Sequence, residues 1–392
     1  MRVRRRGTAA RPTAQPALRQ PPSRRGRWLA LLAVAVVTTL AGAGCSTLGY
    51  YAQGVAGQAE LLQQAKPIDE LIADPATDTK LRARLEQVRA IRSFASRELA
   101  LPDNDSYTRY ADLHRPYVVW NVFATRPLSL ALETSCFPVV GCVGYRGYFG
   151  EADARAWAAP LRERGLDVNV AGIPAYSTLG WFADPVLNTF INLPEPELAR
   201  MIFHELSHQV AYAKGDTMFN ESYATAVEQA GVRRWLAERN DPALTRSYDA
   251  YEARRLDFLA LIDSARERLA AVYASDADDA TKLDGKRAAF AQLRADHEAL
   301  KRGRWNGFAG YDRYFAQDLN NANIAAIAAY RQLVPAFAQL LAEQGGDFAR
   351  FHAEVRRLAR MGPIGREAAL ARLCADCRPT VADAGANIGA TR

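Results

Sequence analysis

Apolar side chains recur at spacings of three and four along Leu81, Leu85, Val88, Ile91 and Phe94. That period brings them to one face of an α-helix and predicts a helix buried on one side. Pro67 and Asp74-Pro75 cut this region into separate helices, because proline has no amide hydrogen to donate. From about Leu101 the period shortens. Tyr117-Val118-Val119-Trp120-Asn121-Val122-Phe123 is rich in β-formers, and Gly141 to Gly150 is dense in glycine and aromatics. Leu166-Asp167-Val168-Asn169-Val170 alternates like a half-buried strand, and Pro174 to Trp181 reads as a short strand or a loop. The middle of the chain thus predicts a small sheet inside an otherwise helical protein, α+β in class.

Helical spacing returns at Pro194-Glu195-Pro196-Glu197, where proline and acidic residues suit a first turn. The apolar stretch Leu198–Ala213 follows, with Lys214-Gly215 as its expected C-terminal cap. A turn at Gly215-Asp216-Thr217 leads into a second helical pattern. Two long helices are expected at about 246–275 and 279–302 as an antiparallel hairpin, then one from about Asn323 to Glu343 and a last from about Phe348 to Arg360. The expected organisation is one domain over 45–378 with the hairpin as an insertion, and a small, polar, disordered tail over 379–392.

Charge changes this picture at one end only. The net charge of +7 suggests a polyanionic partner until the charges are located. Residues 1–27 hold nine Arg and no Lys, Asp or Glu, and residues 28–44 hold no charge. Without that segment the net charge is −2, so no nucleic-acid partner is expected. Basic residues up to Arg27, an apolar run from Trp28 to Leu40 and small residues before Cys45 read as an export signal over 1–44. An N-terminal membrane anchor is the competing reading, for which the run is short. Ala41-Gly42-Ala43-Gly44-Cys45 resembles a lipoprotein cleavage box, although Gly42 stands where that box prefers Leu. The expectation is an exported chain at the periplasmic face of a bacterial envelope, tethered to the membrane by a lipid on Cys45.

The other four cysteines, Cys136, Cys142, Cys374 and Cys377, form two local couples. Pairing within each couple is the simplest of three disulfide connectivities, and an exported location permits it. A zinc knuckle and a redox site are the alternatives; the first spacing is wide for a knuckle, and no βαβ pattern surrounds the second.

The chemistry-bearing pattern is His204-Glu205-Leu206-Ser207-His208. Two histidines four apart leave the same helix face one turn apart, so two ring nitrogens can converge on one metal ion. Glu205 is then placed to take a proton from a metal-activated water. Two surface histidines on an ordinary helix are the plain alternative. Catalytic zinc takes three protein ligands, and the third candidate is Glu221, which a short turn would bring back to the histidine pair. Glu221 could otherwise be an acidic residue stabilising a helix N-terminus. Glu228, two turns further, reads as a carboxylate that orients a histidine ring or as a solvated surface group. His114, His297 and His352 lack ligand spacing and read as structural or surface residues.

An HExxH motif followed by Asn220-Glu221 in a second helix resembles the gluzincin zinc peptidases. Two departures stand out: the gap to Glu221 is short, and Thr225 stands where thermolysin-like members place an Asp. The chain also resembles a family of bacterial predicted aminopeptidases, many of them lipoproteins, over about Leu101 to Leu341. That likeness rests on Leu101-Pro102-Asp103-Asn104, Val119-Trp120-Asn121-Val122, Arg146-Gly147-Tyr148-Phe149, Ala175-Tyr176-Ser177-Thr178-Leu179-Gly180-Trp181-Phe182, Asn220-Glu221-Ser222, Leu319-Asn320-Asn321-Ala322 and Leu333-Val334-Pro335-Ala336-Phe337, together with the zinc motif. The resemblance implies a zincin-like fold with a small sheet packed on the metal-binding helix. It also implies one Zn2+ held by His204, His208 and Glu221, with Glu205 as general base. Gluzincin analogy makes Ala175–Trp181, with Tyr176 and Ser177, the substrate-binding segment, and Tyr330 or Tyr176 the oxyanion-stabilising group.

These readings lead to a zinc-dependent peptidase acting on peptides, with removal of N-terminal residues expected ahead of internal cleavage. The competing class is a non-catalytic envelope lipoprotein that presents its helical hairpin to a partner. An intact Glu205 favours the enzyme, since a structural zinc site fills four ligand positions and has no use for a base.

Overall fold

Leu85, Val88, Ile91 and Phe94 lie fully buried along one helix, Thr79–Leu99, whose first turn is capped by Asp78 accepting from the Lys80 and Leu81 amides. The structure, a computed structural model, describes residues 48–137, 141–328 and 332–373. The expected export segment with Cys45, the oxyanion candidate Tyr330, Cys374, Cys377 and the tail lie outside the described residues. The chain divides between Gln53 and Gly54, and the architecture below is that of the second unit.

Helix α1, which spans 48–64 and whose residues 54–64 belong to this unit, leads to β1 (Lys66–Pro67), α2 (Ile68–Ala73) and α3 (Thr79–Leu99). The strand-rich middle holds β2 (Arg109–Ala111), β3 (Val119–Thr125), β4 (Ser135–Phe137), β5 (Gly141–Val143) and β6 (Arg146–Tyr148). Helix α4 (Glu151–Glu163), β7 (Asp167–Ile173) and β8 (Val186–Leu187) complete it. The second half is helical: α5 (Glu195–Val210), α6 (Thr217–Arg239), α7 (Pro242–Ala274), α8 (Asp279–Arg302), α9 (Asp312–Phe315), α10 (Asn321–Ala328), α11 (Val334–Glu343), α12 (Phe348–Ala359) and α13 (Pro363–Leu373).

The strands form three small sheets, in the orders β1-β2-β8, β6-β3-β7 and β4-β5. Strand β3 is the centre of the second, antiparallel to both neighbours, with Trp120 opposite Tyr148 and Gly172. Cys136 and Cys142 face each other across β4-β5 and are joined by a disulfide.

Three expectations are corrected. The β6-β3-β7 sheet packs mainly on α4 and α10, whereas the histidine-bearing α5 packs mainly with α6 and α3. Strands β2 and β8, through Tyr110, Ala111, Val186 and Leu187, share the apolar core of α5, and the β6-β3-β7 sheet reaches that core at one end, through Val119 and Ile173. The helix expected from Asn323 to Glu343 is two helices, α10 and α11, the second starting with Pro335 in its first turn. Two further helices were not anticipated. Helix α4 buries only small Ala154 and Ala158, and α13 follows a turn at Met361-Gly362, so neither shows a wide apolar stripe.

Among the described residues the two largest apolar cores lie in different parts of the fold, with a smaller cluster around Phe123, Ala322 and Ala326. The larger joins α3, α5, α6 and α11 to α13, with Phe94, Phe203, Phe219, Tyr223, Phe337 and Phe351 all fully buried. Each such side chain contributes roughly 1.5–3 kcal/mol of transfer free energy. The second lies in the α7–α8 hairpin and its continuation, where Phe258 stacks on Tyr311 at 4.4 Å and His297 stacks on Phe315 at 3.9 Å. Asn321, fully buried, ties this hairpin to the sheet: it accepts from the Tyr273 hydroxyl and donates to the carbonyls of Pro127 and Ser129. The Leu319–Ala322 segment is thereby a structural joint.

His352 is buried in the larger core between the Tyr223 hydroxyl (2.8 Å) and the Leu99 carbonyl (2.9 Å). A neutral ring protonated at Nε2 satisfies both partners. Burial pushes its pKa from 6.5 down to about 4. Between those values the unfolded chain binds the extra proton, so this contribution to stability is complete above pH 6.5 and is lost as pH falls towards 4. The loss approaches ~3 kcal/mol. Urea midpoints measured across this range should fall with pH in the native protein and lose part of that slope in His352→Gln; equal slopes would refute the assignment.

Candidate metal centre

Helix α5 is set in place before its chemistry begins. Arg84 of α3 donates to the carbonyls of Ile191 and Leu193, holding the turn that delivers Pro194 and Pro196 to the helix start. Glu195 in the first turn accepts from Trp235 Nε1 at 3.2 Å, which ties the beginning of α5 to the end of α6. Gly231 allows the two helices to approach here: a β-carbon would lie 2.7 Å from Leu99 Cδ1 and 2.9 Å from Phe203 Cδ2.

The other end of the pair is a clamped turn. Helix α5 stops at Val210 with Ala211 already extended, so the expected cap at Lys214-Gly215 is not where it ends. Gly215 instead takes φ +77° inside the turn, and Asp216 caps α6 by accepting from the Phe219 amide. The cause is Asn220. Its buried amide accepts from the Ala213 N–H at 2.7 Å and donates to the Ala213 carbonyl at 2.9 Å. Both backbone groups that leave the helix are thereby satisfied, and α6 returns antiparallel along α5.

That return brings His204, His208 and Glu221 together. His204 Nε2 lies 3.3 Å from His208 Nε2 and 3.3 Å from Glu221 Oε2; His208 Nε2 lies 3.7 Å from Glu221 Oε1. All three potential ligand atoms fall within 4.8 Å of one another. Donors ~2.05 Å from a tetrahedral zinc stand ~3.3 Å apart, so the triad fits such an ion. Glu228 occupies the other side of His204, with Oε2 2.9 Å from Nδ1. Its second oxygen accepts from Arg200 at 3.1 Å, and Arg200 also donates to Glu197 at 2.8 Å. The carboxylate that orients the histidine thus comes two turns after Glu221, which accounts for Thr225 being free of that task.

The electrostatics follow from burial and pairing. Burial acts to lower the His204 pKa, but hydrogen bonds to Glu221 and Glu228 outweigh it and hold it well above the ordinary imidazole value. Ligation of a cation by His204 would release that proton. Burial pushes His208 down to about 4, the neutral ligating form at pH 7. Burial also acts to raise Glu221 and Glu228, yet His208 and His204 around the first, and Arg200 and His204 around the second, keep both below the usual range. Glu205 differs. Burial pushes it up to about 7, only partly opposed by His204.

The remaining sequence candidates go elsewhere. The Tyr176 hydroxyl is hydrogen-bonded to Gln58, and its ring meets Phe149 edge-on. The Ser177 hydroxyl accepts from the Leu179 amide within its own loop. The segment 174–178 joins no sheet. Two groups near Glu205 escaped sequence reading. Tyr107, fully buried at φ +63°, and Asp184, buried beneath Thr178, both act electrostatically with Glu205. The positive φ of a tyrosine has no sequence signature, and Asp184 is 21 residues from Glu205, so neither was visible locally. A cleft of about 790 Å³ lies apart from the triad, between α4, β7, α8 and 317–323. Among its basic residues, Arg155, Lys286 and Arg287 are paired with Glu151, Asp167 and Asp284.

A family model described as "putative aminopeptidase" matches residues 49–370, and the chain belongs to that family. No curated protein and no solved structure matches it.

Asn220→Ala should leave the Ala213 amide without its partner, while the Ala213 carbonyl keeps the Asp216 amide, and should lower stability by about 2 kcal/mol. Urea unfolding measures this, and an unchanged midpoint would show that the turn does not depend on the clamp.

Proposed function

We propose that this member of the aminopeptidase family is a zinc-dependent peptidase of zincin-like architecture, with His204, His208 and Glu221 as metal ligands and Glu205 as general base. The observation that carries the reading is the convergence of two imidazole nitrogens and one carboxylate at tetrahedral-edge separations, with Glu205 on the same helix. Imidazole suits zinc better than calcium or magnesium, and three side-chain donors leave a position open, as catalytic sites do. Charge balance supports it as well. Arg200 pairs with Glu197 and Glu228, Arg255 also acts on Glu228, and a divalent cation held beside Glu205 and Glu221 would offset their charge.

A bound zinc ion would supply Lewis-acid activation of water and of the scissile carbonyl. The protein groups do the rest. Glu228 holds His204 Nδ1 and turns Nε2 towards Glu221, while Arg200 holds Glu228. Burial makes Glu205 a stronger base than an exposed carboxylate; it takes a proton from the attacking water and delivers it to the leaving amine nitrogen. The family description supports a peptide substrate and release of N-terminal residues. The Cys136–Cys142 disulfide favours an oxidising compartment, in keeping with export and a lipid on Cys45. Among the described residues no helix is long and apolar enough to cross a membrane.

Purified protein should contain one zinc per chain, lose peptidase activity to a chelator and regain it with Zn2+. Glu205→Gln should keep the metal while activity falls at least ~100-fold. A metal-free active protein, or an active Glu205→Gln, would overturn the reading. N-acetylated peptides should resist cleavage; equal cleavage would make the enzyme an endopeptidase. Glu228→Gln should weaken zinc affinity ~10–100-fold in competition with a chromophoric chelator, and unaltered affinity would remove Glu228 from its orienting role.

A further inference from the structure

Two adjacent aromatic side chains are exposed on the loop that follows β7: Trp181 at 72 % and Phe182 at 49 %. Single exposed apolar residues are ordinary, so their setting decides their meaning. The loop is rigidly built. The Trp181 amide donates to the Thr178 carbonyl at 3.1 Å across Leu179 and Gly180, which have φ of +57° and +81°. This is the backbone pattern of a type I′ turn, with a leucine where asparagine or glycine is the relaxed choice. A non-glycine residue in that region is strained and is retained only where surrounding contacts determine it. Those contacts are present. The Thr178 amide and hydroxyl donate to the two oxygens of buried Asp184, at 2.9 and 2.7 Å. Asp184 is itself held by the Tyr107 amide and the Ser106 hydroxyl.

The loop is anchored against the last turn of α5, and the Asp184 that holds it acts electrostatically on Glu205. A β-carbon at Gly180 would lie 3.6 Å from Gln209 Oε1. Gln209 is four residues after Glu205, hence on the same face of α5, and next to His208. Its amide is fixed by Asn104 (2.8 Å) and Ser106 (3.1 Å), and that strap is fastened by buried Arg92, which donates to the carbonyls of Pro102, Asn104 and Ser106. A rigid turn seated on the Glu205 face of the metal helix, with its aromatic residues left in solvent, is a preorganised apolar contact for whatever occupies that face.

We propose that Trp181 and Phe182 form a subsite for a bulky apolar side chain of a peptide bound at the metal centre. This rests on the peptidase reading for the identity of the occupant. The turn makes Trp181 and Phe182 positioning and specificity groups, and peptides with Leu or Phe beside the scissile bond are preferred over those with Ala.

The test uses the full chain loaded with Zn2+. The ratio of kcat/KM for Phe- over Ala-containing peptides should fall about tenfold in Trp181→Ala/Phe182→Ala, mainly through KM, and recover in Trp181→Phe. Far-UV circular dichroism and urea midpoints establish that the variants are folded. In parallel, Glu205→Gln should bind the Phe peptide with a blue shift in tryptophan emission that Glu205→Gln/Trp181→Phe lacks. Cleavage with an unchanged ratio would overturn the subsite and leave the peptidase reading standing. Binding with the Trp181-dependent shift, but no cleavage by the native protein, would uphold the subsite and overturn the peptidase reading. A Trp181-dependent shift produced by phosphatidylglycerol vesicles, with none from peptides, would overturn the proposal in favour of a membrane contact.

Discussion

The antiparallel return of α6 onto α5 is the constraint on which the rest depends. It is fixed at one end by Asn220 closing the turn on Ala213 and at the other by Gly231 admitting Leu99 and Phe203. Between those points the helices hold a chain of paired polar residues. Glu221 faces His204 and His208, Glu228 faces His204 and Arg200, and Arg200 reaches Glu197. Charged groups this deep cost several kcal/mol each unless they are paired in good geometry. The helix pair therefore tolerates them only in this register, and the apolar residues around them, Ile202, Phe203, Tyr223 and Val227, hold that register.

Environment, more than residue type, separates the roles of Glu205, Glu221 and Glu228. Glu221 and Glu228 have cationic neighbours that outweigh burial, so they stay ionised and suit ligation and orientation. Glu205 is as buried but lacks an equivalent partner, and its raised pKa suits a group that accepts and releases a proton. Arg200 anchors the second group without touching the histidines.

Outside the helix pair, two structural devices converge on the Glu205 face. Arg92 straps residues 102–106 to α3, and Asp184 ties that strap to the 177–184 loop. The hairpin α7–α8 has its own core of Phe258, Ile262, Phe290 and Leu293 and connects to the sheet through Asn321.

Local geometry explains what could be read from the sequence alone. The spacing of His204 and His208 is a property of the helix itself, as is the buried face of α3, and the turn expected at Gly215-Asp216-Thr217 made Glu221 a reasonable third donor. The long hairpin was legible because Pro242–Ala274 and Asp279–Arg302 are rich in Ala, Leu and Arg, with Gly285 the one breaker inside either helix. Only the tertiary structure decided the pairing of Glu228 with His204, 24 residues apart, and the placement of Tyr107 and Asp184 near Glu205. It also gave the Tyr176 and Ser177 hydroxyls partners in Gln58 and the Leu179 amide, and seated the sheet on α4 and α10 instead of α5. Helical periodicity is set by neighbours three and four residues away, whereas the protonation and orientation of a buried group depend on what other segments bring against it.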